Sequence, residues 1–343
     1  MRRAACAVLG LVSVALPAWA QDMSQQWTRC TNDDHAFTAD QSIGGCTALI
    51  QAGRETPQDM AIAFSNRGHG HASKGQYDRA VEDYDQAIRL NPGYALAFNN
   101  RGIAYHIKGQ YDRAIGDFDQ TIRLNPNCAD AFNNRGVAYR AKRQDDRAIA
   151  DFDQAIRLNP NKAEPFNNRG TAYRAKGQHD RAIEDYDRAL RLNPNYAAAF
   201  NNRGNVYNSK GQYDRAIHDY DEAIRLDPNK AEAFDNRCYA KASAGVPAEA
   251  LADCNEALRL APGNPDTLDS RGFTYLKMRQ LSQAIADYDA ALKVDPGLAP
   301  ALFGRGVARL QMGDASRGNA DIAAAIAIDG TIGERLAARG VVR

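Results

Sequence analysis

The chain has almost no surplus charge: 43 Lys and Arg stand against 42 Asp and Glu in 343 residues, +1 at pH 7. A dedicated nucleic-acid binder concentrates a basic surplus, so no nucleic acid is expected as partner. Long apolar runs are missing too. Past the N-terminus no stretch reaches the roughly 20 residues of a membrane helix. Also lacking are a phosphate loop, a dinucleotide fingerprint and zinc-type cysteine pairs. His69 and His71 lie two apart and would face different ways on a helix, which argues against a metal site. The carboxylates recur in register along the chain and so mark structure; an active site would be unique. The chain is expected to be no enzyme and to need no cofactor. With 44% hydrophobic residues it still has enough apolar material for a packed core.

The first 20 residues read as a cleavable leader. Arg2 and Arg3 precede an apolar run from Ala4 to Leu16, Pro17 breaks it, and Ala18-Trp19-Ala20 supplies small residues before Gln21. The alternative, a membrane anchor, calls for a longer run. Cys6 stands too early for a lipoprotein site. Loss of the leader leaves 41 basic against 42 acidic groups. The mature chain is expected in the periplasm or outside the cell, where disulfides are permitted, with no membrane insertion once the leader is cut.

Internal repetition fixes the fold class. Phe64, Phe98, Phe132, Phe166, Phe200 and Phe234 recur every 34 residues, and Leu268 and Leu302 continue the series. Pro92, Pro126, Pro160, Pro194, Pro228, Pro262 and Pro296 keep the same step. Within a unit, Phe98, Arg101, Gly102 and Tyr105 form one helical stripe. Gly109-Gln110 interrupts it, and a second stripe carries Ala114, Ile115, Phe118 and Ile122. Asn125-Pro126 ends that helix, because proline cannot continue the ladder.

This pattern resembles the tetratricopeptide family, which places a bulky residue, glycine and tyrosine in the first helix. Its second helix carries alanine, an aromatic and alanine, and its loop carries proline; Phe132, Gly136, Tyr139, Ala148, Phe152, Ala155 and Pro160 fill these places. The resemblance implies an all-α, right-handed superhelical solenoid of stacked antiparallel helix hairpins. Eight units are expected over 61–332: 61–94, 95–128, 129–162, 163–196, 197–230, 231–264, 265–298 and 299–332. Residues 21–60 read as a degenerate hairpin and 333–343 as a cap or tail.

One departure from the family is systematic. Arginine precedes the glycine position in every unit: Arg67, Arg101, Arg135, Arg169, Arg203, Arg237, Arg271 and Arg305. A guanidinium on the buried stripe needs a partner. Asp83, Asp117, Asp151, Asp185, Asp219, Asp253, Asp287 and Asp321 recur equally and are the expected partners. The other reading is a ligand-binding arginine row. A second aspartate two residues later is lost in units six and eight.

Asn66, Asn100, Asn134, Asn168, Asn202 and Asn236 form a further series. It is similar to the asparagine ladder in the tetratricopeptide superhelix of O-linked N-acetylglucosamine transferase, where such residues line the concave face and hold an extended peptide. The resemblance implies a protein or peptide partner in the groove; the other reading is solvated surface or bonds to neighbouring loops. Asn99, Asn133, Asn167 and Asn201 extend the ladder, which ends at Ser270 and Gly304. His106, Arg140 and Arg174 are expected to make the middle of the face polar, and Tyr239, Phe273 and Val307 to make its end apolar.

Cys238 and Cys254 replace the glycine and aromatic that meet across a hairpin, and Cys30 and Cys46 share their spacing of sixteen. Structural disulfides are expected at both pairs, against reduced cysteines serving as small hydrophobes. Cys128 is left over. The leading expectation is an exported adaptor that binds an extended polypeptide. The alternative is a self-associating structural module of the cell envelope.

Overall fold

The computed structural model describes residues 18–32, 35–337 and 340. The expected leader lies outside them up to residue 17, and Ala18-Trp19-Ala20 opens the first helix. Among the described residues there are nineteen helices and no strand. The chain divides into two compact units, up to Pro160 and from Asn161.

The first unit holds α1 (Ala18–Thr31), α2 (Ala39–Ala52), α3 (Pro57–Ser73), α4 (Tyr77–Leu90), α5 (Ala95–Ile107), α6 (Tyr111–Leu124), α7 (Ala129–Ala141) and α8 (Asp145–Leu158). The second holds α9 (Ala163–Ala175), α10 (His179–Leu192), α11 (Ala197–Ser209), α12 (Tyr213–Leu226), α13 (Ala231–Ser243), α14 (Pro247–Leu260), α15 (Pro265–Lys277), α16 (Leu281–Val294), α17 (Ala299–Gln311), α18 (Ala315–Ile328) and α19 (Ile332–Ala337). In each unit the helices pack as consecutive pairs, each pair against the next.

Local chemistry sets the joints. In every repeat but the sixth, where the residue is Ala261, the second helix stops before a loop whose first residue is Asn or Asp in extended backbone. Asn91 (φ −138°) precedes Pro92, and its side-chain oxygen accepts the Gly93 N–H at 3.1 Å. The same turn recurs at Asn125, Asn193, Asp227 and Asp295. The tight turn inside a hairpin requires positive φ, as at Gly109 (+72°). Arg143 and Arg279 adopt it at +58° and +61° despite carrying side chains, a conformation worth roughly 1–2 kcal/mol of strain.

Packing explains the small residues. A Cβ on Gly102 would sit 2.7 Å from Cε1 of Phe118, so the two helices of that hairpin touch only because glycine is there. Ala114 packs with Phe118 there, and Ala97 and Ala131 are likewise fully buried. In the second unit the core runs from Cys238 through Tyr288 and Phe303 to Ile332 and Leu336, by which α19 covers α17.

Candidate protein-interaction surface

The arginines are internal clamps. Arg101 makes two bonds to Asp117, Nε to Oδ2 at 2.8 Å and Nη2 to Oδ1 at 2.7 Å. The same bidentate pairing joins Arg67 to Asp83, Arg135 to Asp151, Arg169 to Asp185, Arg203 to Asp219, Arg237 to Asp253, Arg271 to Asp287 and Arg305 to Asp321. Burial works against the Arg101 charge, but its bonds to Asp117 and Asp85 outweigh that and hold it firmly protonated. These guanidiniums are committed to structure.

The second aspartate has a role that the sequence analysis left unassigned. It bonds the arginine of the following hairpin: Asp85 to Arg101 at 2.5 Å, Asp119 to Arg135 at 2.6 Å, Asp187 to Arg203 at 2.5 Å, Asp221 to Arg237 and Asp289 to Arg305 at 2.7 Å. Asn255 replaces it in unit six and still accepts from Arg271 at 2.9 Å. Thr47 of α2 stands in for it towards Arg67, at 3.5 Å. In unit eight the position is Ala323, and the helix that follows, α19, brings no such arginine. That missing aspartate was the signal in the sequence that the series serves the next hairpin.

Beside each arginine lies the asparagine series, on the face made by the first helices. Asn66, Asn100, Asn134, Asn168, Asn202 and Asn236 are all half-buried. Their amides are partly used between hairpins: Asn134 donates to Asn99 at 3.2 Å, Asn202 to Asn167 and Asn236 to Asn201 at 3.0 Å. Longer bonds run within a helix, from Asn99 to Asn100 at 3.4 Å and from Asn133 to Asn134 at 3.5 Å. The residues preceding the ladder are therefore its acceptors. Next to Asn100 lies an apolar hollow of about 210 Å³, lined by Tyr77, Tyr84, Ile103 and Ile107.

One expectation for this face needs correction. Phe273 and Val307 are buried, at 3% and 0% exposure, so they do not make the end of the face apolar. Phe273 packs against Tyr239 with ring centroids 5.0 Å apart, and Val307 lies inside the core. The neighbouring hairpins close over that turn of the helix. What this end presents instead is acidic, Asp235 and Asp269 replacing the acceptor asparagines.

The cysteines lie where the spacing put them. Cys30 and Cys46 are at bonding distance with Cα atoms 4.6 Å apart, and Cys238 and Cys254 likewise with 5.4 Å. All four are buried, and Cys128 stands half-buried at the start of α7 without a disulfide. His71 bonds Gln76 at 2.8 Å while His69 is exposed at the apolar hollow. Among the described residues no group of three His, Cys, Asp or Glu could hold a metal ion, and no helix is long and apolar enough to cross a membrane.

Comparison with known proteins agrees with this geometry. Family models described as TPR repeat or tetratricopeptide repeat match residues 68–109, 108–163, 152–184, 170–208, 197–230 and 271–330. The gap at 231–270 covers the unit in which cysteines replace the glycine and aromatic. Curated proteins return no match. Among solved structures, the chain is similar to one in the APC/C hetero-tetramer Cut9-Hcn1, with TM-score 0.66 and 17% identity; the match covers 83% of this chain and 54% of that one, so it spans about half its length. It is also similar to a tetratricopeptide repeat protein from Parabacteroides merdae (TM-score 0.55, 17% identity, 78% of this chain and 98% of that one). A third is pilF of Pseudomonas aeruginosa (0.55, 18%, 62% and 97%). The chain thus belongs to the tetratricopeptide repeat family, whose fold is in general a protein-interaction scaffold and typically non-catalytic.

Proposed function

We propose that this protein is an exported, non-enzymatic scaffold that holds an extended polypeptide partner against the face of its first helices. The observation that carries this reading is the asparagine series at one register position in six successive hairpins. An amide offers two N–H donors and an oxygen acceptor. The bond from Asn202 to Asn167 uses one of those donors. The capacity that remains suits a peptide backbone, whatever its side chains. An extended ligand rises about 3.3 Å per residue and packed helices lie roughly 8–10 Å apart, so one hairpin serves about three ligand residues. Two buried cysteine pairs suit an oxidising compartment, and Arg2, Arg3 and Ala18-Trp19-Ala20 supply the route to it.

Selection of ligands from a random peptide library tests the reading. Peptides that bind the purified protein should lose at least tenfold in affinity, about 1.4 kcal/mol, when Asn134, Asn202 and Asn236 are replaced together by alanine. The melting temperature should fall only modestly, since each lost amide bond contributes about 0.5–1.5 kcal/mol. Undiminished affinity in the folded triple variant would remove the asparagines from the site. Concentration-dependent assembly in light scattering, with no peptide selected, would favour the self-associating envelope module. Export is tested separately, by finding Gln21 at the mature N-terminus.

A further inference from the structure

We propose that α13 and α15 carry a receptor for one cationic side chain, lysine or arginine, of the bound polypeptide, built on Asp235, Asp269 and Tyr239. The inference rests on the polypeptide-binding reading and names the chemistry of one subsite within it.

The asparagine relay changes character at this point. Asn236 donates to Asn201, and one hairpin further Ser270 holds the donor position and Asp235 the acceptor position, with the Ser270 hydroxyl favouring the ionised form of that carboxyl. At the next step the donor position is Gly304, which has no side chain. No side chain fits there: a Cβ would collide with the ring and hydroxyl of Tyr288. Asp269, the acceptor of that step, therefore receives no hydrogen bond among the described residues. Behind it, Asp235 Oδ1 is shielded from solvent and also unpartnered.

Two carboxyl groups in successive acceptor positions are left with unused oxygens in a half-buried place, which is costly unless a donor arrives. The charges acting on them are of their own sign: Glu232 and Asp266 on Asp235, and Asp235 and Asp266 on Asp269. Of the other titratable groups, Tyr288 on α16 faces Asp269 and Tyr239, and Tyr220 on α12 faces Asp235. Arg174 acts on Tyr220, and among the described residues no basic group acts on either acid. Asp269 is half-buried, with part of its surface left open to a ligand. Tyr239 lies one turn from Asp235 on α13, backed by the Phe273 ring, and offers an aromatic surface to a cation.

An ammonium or guanidinium brings three or five N–H donors and one positive charge. A divalent metal ion requires more oxygen ligands in a closed shell, and no group here could hold one. Burial pushes the Asp235 carboxyl up to about 6 and the Asp269 carboxyl up to about 8. In the empty protein at pH 7 Asp269 keeps its proton. A bound cation favours the ionised form, so binding releases a proton to solvent and strengthens as pH rises.

The test uses the purified protein and three fluorescent peptides of one glycine-serine-alanine sequence whose central residue is arginine, norleucine or glutamate. Anisotropy at pH 8 should show the arginine peptide binding at least tenfold tighter than the norleucine peptide, and the glutamate peptide weakest. The preference should shrink severalfold at pH 5.5. Asp235→Asn with Asp269→Asn should abolish the preference of arginine over norleucine; Glu256→Gln, on α14 and paired with Arg259, should keep it. If the double variant fails to fold, the wild-type comparison across peptides and pH decides. Equal affinity for arginine and norleucine at both pH values overturns the subsite and leaves polypeptide binding standing. Failure of all three peptides to bind overturns both.

Discussion

Arg101 Nη1 lies 2.5 Å from Asp85 Oδ1, a carboxylate of the preceding hairpin, while the rest of the same guanidinium grips Asp117 in its own. One side chain thus closes its hairpin and couples it to the one before. Asp117 is nearly buried at 8% exposure and Asp85 is 43% exposed, so the two bonds differ in weight.

Arg101→Leu should therefore destabilise strongly, by about 3–5 kcal/mol, because it strands the buried Asp117 charge. Asp85→Ala should cost no more than about 1 kcal/mol, as exposed pairs do. Arg101→Leu combined with Asp117→Leu should recover much of the loss. Urea denaturation of these three variants and of Asp117→Leu checks this, and strictly additive costs in the double-mutant cycle would show that Arg101 and Asp117 are uncoupled.

Unit six places Cys238 and Cys254 at disulfide distance where its neighbours set a glycine against an aromatic ring. Closing a loop of that size stabilises by roughly 3 kcal/mol. Reduction should lower the wild-type melting temperature. Cys238→Gly with Cys254→Tyr rebuilds the contact seen between Gly204 and Tyr220 and should make the unit insensitive to reductant. Cys254→Tyr alone should be the least stable, since Cys238 then occupies the space the ring needs. Calorimetry with and without dithiothreitol distinguishes the three.

Asp269 should make stability depend on pH. Its folded-state pKa is raised, mainly by burial and then by Asp235 and Asp266, to about 8 from the usual 3.8. The folded form thus holds the proton more tightly than the unfolded form. Its contribution is fully present below pH 4 and is lost as pH rises through 8. Asp269→Asn should melt with the wild type at pH 4 and above it at pH 8. Identical melting curves at pH 8 would mean that the carboxyl is not held in the neutral form.

The fold was legible because its contacts repeat: Gly102 against Phe118 and Gly136 against Phe152 are one interaction written at a fixed interval. Partners inside a hairpin, such as Arg169 and Asp185, were legible for the same reason. What one unit could not reveal was the contact with the next. Asp85 answers to an arginine sixteen residues on in another hairpin, and Asn99 to Asn134 thirty-five residues on. Phe273 was placed on the ligand face by its register, but its depth depends on α13 and α17 lying on either side of α15. The acidic end was overlooked because Asp235 and Asp269 look like ordinary surface aspartates until their donors are traced.

The clamp also bears on how such a chain changes length. Within each compact unit an inner hairpin brings an arginine for the hairpin before it and an acidic or amide oxygen for the one after, so these junctions share one coupling chemistry, like identical links in a copolymer. Excision of residues 95–128 would bring Asp85 against Arg135, the same pair of atoms at the same register, with no junction to redesign. Duplication of a unit would add an identical link. Gain or loss of whole 34-residue blocks is thus a nearly neutral step for this molecule, whereas an insertion of any other length would strand two charges at once.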